Sequence, residues 1–145
     1  MIEEAINKLN FLIEKVPFML AQISEEKISE KPALDKWSKK EILGHLIDSA
    51  THNHQRFVRG QFEHHPEISY DQNQWNKYNF YQQIDRNQII SFWTIYNRQI
   101  VEIMKRIPNE NLKKQIKVGE NLLTLEYLID DYVDHLEHHL KQIID

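Results

Sequence analysis

The chain has 145 residues, no cysteine and a formal net charge of −4, with 41% hydrophobic and 28% charged residues. This is the size of a single domain, 1–145, with apolar material for one core and none of the basic excess that nucleic-acid binding requires. Disulfides and thiolate chemistry by the protein itself are excluded. No apolar run is long enough to span a bilayer, and the acidic start Met1-Ile2-Glu3-Glu4 is unlike a signal peptide, which points to a cytoplasmic protein.

Residues 2 to 23 read as an amphipathic helix, since Ile2, Ile6, Leu9, Leu12, Ile13, Val16, Leu20 and Ile23 recur at threes and fours. Pro17 should kink it. Residues 24 to 36 read as a charged connector. Ser38 with Glu41 three residues on forms a capping box that opens a second helix, with Trp37 placed to staple the turn. Ile42, Leu46, Ala50 and Phe57 are its apolar stripe. From Gly60 to about Gln83 the periodicity breaks, and a connection this long carries function or short structure of its own. A third helix is expected over 85–107, stopped by Pro108. An irregular turn or short hairpin around Gly119 follows, and Thr124 can cap a fourth helix. Four amphipathic helices in a short chain predict an all-α four-helix bundle, an architecture that often builds metal sites from facing helices.

The motif with most chemistry is Asp134-His135-Leu136-Glu137-His138-His139. His135 and His139, four apart, stack on one helical face, the geometry for sharing one metal ion. At 100° per residue both fall on or beside the buried face, and His138 points to solvent. Two ordinary histidines at a core edge would have the same spacing. On the second helix His45, Asp48, Ser49, His52 and Arg56 form one polar strip, which is either a solvated face or the lining of a cleft facing the fourth helix. Spacing alone does not choose between His45 and His52 as a third ligand. His54 points the other way, and His64 and His65 lie in the long connection.

Taken together, Trp37-Ser38, Gly44-His45-Leu46-x-Asp48-Ser49, Arg56, Tyr70-Asp71-x3-Trp75 and Tyr132-Val133-x-His135-x3-His139 resemble the DinB-like superfamily. The bacillithiol-transferase branch, long described as metal-dependent hydrolases, is the nearest match. The resemblance covers about 37–145 and implies a DinB-like bundle with a zinc or nickel ion on His45, His135 and His139. It implies a low-molecular-weight thiol, of the bacillithiol type, as co-substrate. The chain departs from this pattern by starting directly at the first helix, and by carrying Glu137 and Gln142 where relatives often have further histidines.

A divalent ion on neutral imidazoles is a Lewis acid that can ionise a small thiol or a water, giving S-transfer or hydrolysis. The same ligands serve both, and a bundle that binds metal and a small molecule without turnover is the third reading. Arg56 is expected to hold an anionic group of the thiol or substrate, or else to pair at the surface. Asp48 could orient a ligand. Tyr70 is expected at the substrate pocket or pinning the loop, and Trp75 pinning it. His52, His54 and His138 are not expected to be ligands. The partners expected are small molecules, with no nucleic acid or membrane, and a homodimer is left open.

Overall fold

The computed structural model describes residues 2–144. Its long helices are α1 (Ile2–Ala21), α3 (Lys39–Arg59), α5 (Arg86–Met104) and α7 (Leu125–Ile144). Three short helices lie between them: α2 (Glu25–Ser29), α4 (Gln72–Tyr78) and α6 (Asn109–Leu112). A hairpin of β1 (Gln115–Val118) and β2 (Asn121–Thr124) precedes α7. The all-α four-helix bundle expected from the sequence is the fold.

Local chemistry sets the helix ends. Ser38 accepts from Glu41 N at 3.0 Å, while the Glu41 carboxylate accepts from Ser38 N at 3.0 Å, so the capping box satisfies two orphan donors of α3. Thr124 accepts from Tyr127 N at 3.1 Å and starts α7. Gly119 takes φ 62 in the hairpin turn, where a glycine costs nothing. The α1 helix runs unbroken through Pro17. A proline removes one backbone hydrogen bond, and burial of Ile13, Val16 and Leu20 around it holds the helix together. The helix stops at residue 21, short of the expected 23, and the Arg86 guanidinium donates to the carbonyls of Leu20 and Ile23 there.

The presumed charged connector contains α2, capped by Ser24 and anchored by buried Ile28. The third long helix is shorter than expected, 86–104 rather than 85–107.

Helices α1 and α3 each pack on both α5 and α7, so α1 stands diagonally opposite α3. Cross-links give the directions. The end of α1 meets the start of α5 through Arg86, so these two are antiparallel. Lys39 reaches the carbonyls of Gln142 and Ile143 while His45 meets His135, so α3 and α7 are antiparallel as well. Gly44 lies against Tyr81 and His54 bonds Tyr96, so α3 and α5 run parallel. Parallel neighbours need a connection that travels back along the bundle. For a 21-residue helix the return is about 31 Å, and the segment after Gly60 makes it.

That segment is tied down. Residues 66–68 lie on the hairpin edge, with Ile68 N donating to Lys117 O at 3.1 Å and Lys117 N to Pro66 O at 2.9 Å. The core between the four long helices is led by Trp93, Phe57, Leu9, Leu20, Leu43, Leu46, Ile100, Met104 and Ile129. One polar pair crosses it: Tyr132 Oη donates to Asn97 Oδ1 at 2.6 Å, which satisfies a hydroxyl that burial would otherwise penalise. Among the described residues no helix is long and apolar enough to cross a membrane.

Candidate metal centre

The polar strip of α3 is buried rather than solvated. His45 and Asp48 are each 1% exposed, Ser49 and His52 nearly as little. It packs against α7, and the antiparallel crossing sets which residues meet. His45 Nε2 lies 3.4 Å from His135 Nε2, and His135 Nε2 lies 3.1 Å from His139 Nε2. All three rings turn the same nitrogen inward. Among the described residues this is the one histidine, cysteine or carboxylate cluster of metal-holding geometry.

The spacing fits a metal. Two nitrogens each about 2.0–2.1 Å from a tetrahedral zinc stand about 3.3–3.4 Å apart, close to both separations here. Three inward lone pairs without a proton repel, and a cation between them removes that repulsion. His45 and His135 are also in the ligating protonation state. Burial, then the neighbouring His135 and His139, lowers His45 to about 4. Burial, then His139 and His138, lowers His135 to about 4. Both are neutral at pH 7. The site is closed on one side, where the Trp37 ring lies 4.9 Å from His45, and opens past half-buried His135 and His139.

The other sequence candidates separate from this cluster. His52, seven residues beyond His45, is about 10 Å further along α3. Its Nδ1 is 2.8 Å from the Asp48 carbonyl. Its ring stacks on Tyr70 at 3.8 Å and meets the Trp75 edge at 4.3 Å. His52 is therefore where the long connection is fastened to α3, and Tyr70 and Trp75 are the fasteners. His54 is half-buried and bonds Tyr96 Oη at 2.9 Å, and His138 is exposed. His64 and His65 stack on each other, exposed, away from the cluster.

Arg56 is half-buried and donates to Ile68 O from Nε at 3.2 Å and Nη2 at 2.9 Å, and to Asn53 Oδ1 at 3.3 Å. No carboxylate lies within ion-pair distance of it among the described residues. The alternative of a surface ion pair is not met there, because the guanidinium is turned inward to the loop. Burial pushes the Tyr70 hydroxyl up to about 12.

Asp48 bonds the loop rather than a histidine of the cluster. Its Oδ1 accepts from Tyr81 Oη at 2.6 Å and Asn79 Nδ2 at 2.9 Å. Its Oδ2 is buried without a partner, as is His45 Nδ1. Burial raises Asp48 to about 6, against the two hydrogen bonds that lower it. Sequence reasoning missed Asn79 and Tyr81, and also Gln142, whose Oε1 lies 2.8 Å from His139 Nδ1. A glutamine three residues after a histidine on one helix is the available signal for the last.

These groups set a pH response. His45 and His135 have folded values below the unfolded one, so the unfolded chain binds more protons between pH 6.5 and 4. Their stabilising contribution is complete above 6.5 and is lost as pH falls. Asp48 has the opposite sign, since its raised value favours the folded state at low pH and that gain is lost as pH rises through about 6. Two histidines outweigh one carboxyl. Metal-free protein should lose on the order of 3 kcal/mol between pH 6.5 and 4, as urea melts across that range would show. A flat profile would contradict the burial of these imidazoles.

A four-helix bundle with three imidazole nitrogens converging between two of its helices defines a class of bundle proteins with an internal histidine centre. The chain belongs to the DinB superfamily, whose family profile matches residues 9–143. No curated protein matches it in sequence. Solved structures share its fold, two of them from Bacillus subtilis. One is YfiT from Bacillus subtilis, described as a probable metal-dependent hydrolase with an unusual four-helix bundle topology. It is 21% identical, with a TM-score of 0.84 over 98% of this chain and 83% of that one. The other is YjoA from Bacillus subtilis, described as a DinB-like protein. It is 18% identical, with a TM-score of 0.67 over 97% of this chain and 86% of that one.

Proposed function

We propose that the chain is a metal-dependent S-transferase. It would bind one divalent ion, zinc or nickel, on His45, His135 and His139, and transfer a low-molecular-weight thiol of the bacillithiol type to an electrophilic small molecule. The observation that carries this reading is the convergence of three Nε2 atoms, 3.1 and 3.4 Å apart, beside an accessible edge. An all-nitrogen donor set suits a borderline ion rather than magnesium or calcium. Three protein ligands leave a position for a reactant, as catalytic sites do. The ion would supply Lewis acidity sufficient to ionise a thiol or a water near neutral pH. The cysteine-free chain offers no thiolate of its own, so sulfur must arrive with the co-substrate.

The remaining roles fall to the strip along α3. Burial keeps His45 and His135 unprotonated, so their lone pairs stay available. Trp37 covers His45 and keeps bulk water from that side. Arg56, about 16 Å along the helix axis from His45, is proposed to attract an anionic group of the thiol or substrate, with Tyr70 beside it. A co-substrate reaching both ends would be elongated. Hydrolysis is the second reading, favoured by the likeness to YfiT and its description as a probable metal-dependent hydrolase.

The test supplies zinc- or nickel-loaded protein with bacillithiol, cysteine, coenzyme A or glutathione and a chromogenic electrophile, with and without chelator. Chelator-sensitive loss of thiol supports transfer. Equal rates with and without metal reject it. Chelator-sensitive cleavage of esters or amides without thiol consumption promotes hydrolysis. Arg56→Ala should raise KM for an anionic thiol more than it lowers kcat, if Arg56 binds that thiol. Unchanged KM would assign Arg56 to loop anchoring alone.

A further inference from the structure

A histidine ligates through one nitrogen only if its proton sits on the other. Neutral imidazole in water mixes the two tautomers, so a ligand whose outward nitrogen has a fixed acceptor is set in advance. In this structure the outward nitrogens differ. His45 Nδ1 is buried and has no partner. His139 Nδ1 stands 2.8 Å from Gln142 Oε1. An amide oxygen can only accept, so His139 carries its proton on Nδ1 and presents a bare lone pair at Nε2, 3.1 Å from His135 Nε2. The opposite amide orientation would aim a donor at Nδ1 and force the proton onto the inward nitrogen, where it would exclude a cation.

Gln142 is itself held in place. It lies one turn beyond His139, near the end of α7, where helices tend to fray. There the Lys39 ammonium, from the first residue of α3, donates to the carbonyl of Ile143 and, at 3.4 Å, to that of Gln142. Lys39 thereby answers orphan carbonyls at the negative end of α7. It also ties the turn bearing Gln142 to the helix bearing His45. The Gln142 side chain is exposed and makes no other hydrogen bond among the described residues.

We infer that Gln142 is a positioning residue for the metal centre: it fixes the His139 tautomer and ring so that Nε2 faces the ion, and Lys39 holds the helical turn from which it does so. The inference rests on the reading of the three histidines as a metal site. It separates His139, directed by a side chain of its own helix, from His45, directed by burial and the Trp37 ring.

The test measures zinc affinity of the whole chain by competition with a chromogenic chelator, for the parent, Gln142→Leu and Gln142→Glu. Leucine keeps an exposed helical position filled and removes the acceptor. It should weaken zinc binding 10- to 100-fold while leaving the melting temperature of metal-free protein unchanged. Glutamate restores a stronger acceptor and should bind zinc at least as tightly as the parent. A second readout needs no metal. In protein labelled with 15N histidine, the His139 ring should be the Nδ1–H tautomer in the parent and shift towards Nε2–H in Gln142→Leu. Equal zinc affinity in parent and leucine variant, or an unchanged tautomer, overturns the inference while leaving the metal site standing. A parent that takes up no zinc or nickel at all overturns the metal site, and the role of Gln142 with it.

Discussion

Replacing His135 by alanine should lower the proposed metal-dependent turnover at least about a thousandfold, the scale of removing the principal source of charge stabilisation. His135 is the central ring of the three. Its Nε2 is 3.4 Å from that of His45 and 3.1 Å from that of His139, and it joins the α3 histidine to the α7 pair. Without it the remaining nitrogens hold a divalent ion weakly, so metal content after dialysis should fall with activity. The fold should survive, because His135 is only half-buried and alanine is well tolerated within a helix. The control is His52→Ala, which removes a buried ring of the same α3 strip as His45 but one committed to Tyr70 and Trp75. It should keep its metal. Metal retained in His135→Ala and lost in His52→Ala would reverse the ligand assignment.

Gly44→Ala should be among the most destabilising small substitutions in the chain, at about 3 kcal/mol. A β-carbon at Gly44 would overlap the Tyr81 ring. That ring cannot retreat cheaply, because its hydroxyl is bonded to Asp48 at 2.6 Å and its residue follows Phe80, whose backbone is already left-handed at φ 58. Glycine in the middle of a helix normally costs up to about 1 kcal/mol relative to alanine, so without the contact the substitution should stabilise. A double-mutant cycle decides. In a Tyr81→Ala background Gly44→Ala should be neutral or favourable, giving a coupling of several kcal/mol. If Gly44→Ala costs the same in both backgrounds, the close approach of Tyr81 is not its cause.

The sequence shows its long elements plainly because each repeats its apolar spacing over several turns. The capping box at Ser38, the turn at Gly119 and the cap at Thr124 are equally visible, since each depends on residues within three positions of one another. Helices α2 and α4 escape notice. At 5 and 7 residues they offer too little periodicity, and they exist because Ser24 and Asp71 cap them and Ile28 and Asn76 are buried. The paired histidines of α7 are legible from spacing, but the choice between His45 and His52 is not. The two lie two turns apart on nearly the same face of α3, and a helical wheel records angle without height. Height is set by how far α3 and α7 slide past each other, which Lys39 and the core decide. The tie between Arg56 and the carbonyl of Ile68 is invisible for a related reason: it depends on where a long irregular connection returns.

The order of the histidines along the chain also bears on when the cluster can form. His45 precedes its partner His135 by 90 positions, and His139 comes still later, near the end of the last helix. During synthesis the N-terminal portions emerge first, at about 5–20 residues per second, so a growing chain displays a single one of these imidazoles for several seconds. The converging trio itself cannot form on the unfinished chain, because two of its three members lie on the last helix. Assembly of the cluster coincides with docking of the final helix, which makes the three-nitrogen arrangement a report that the bundle has closed.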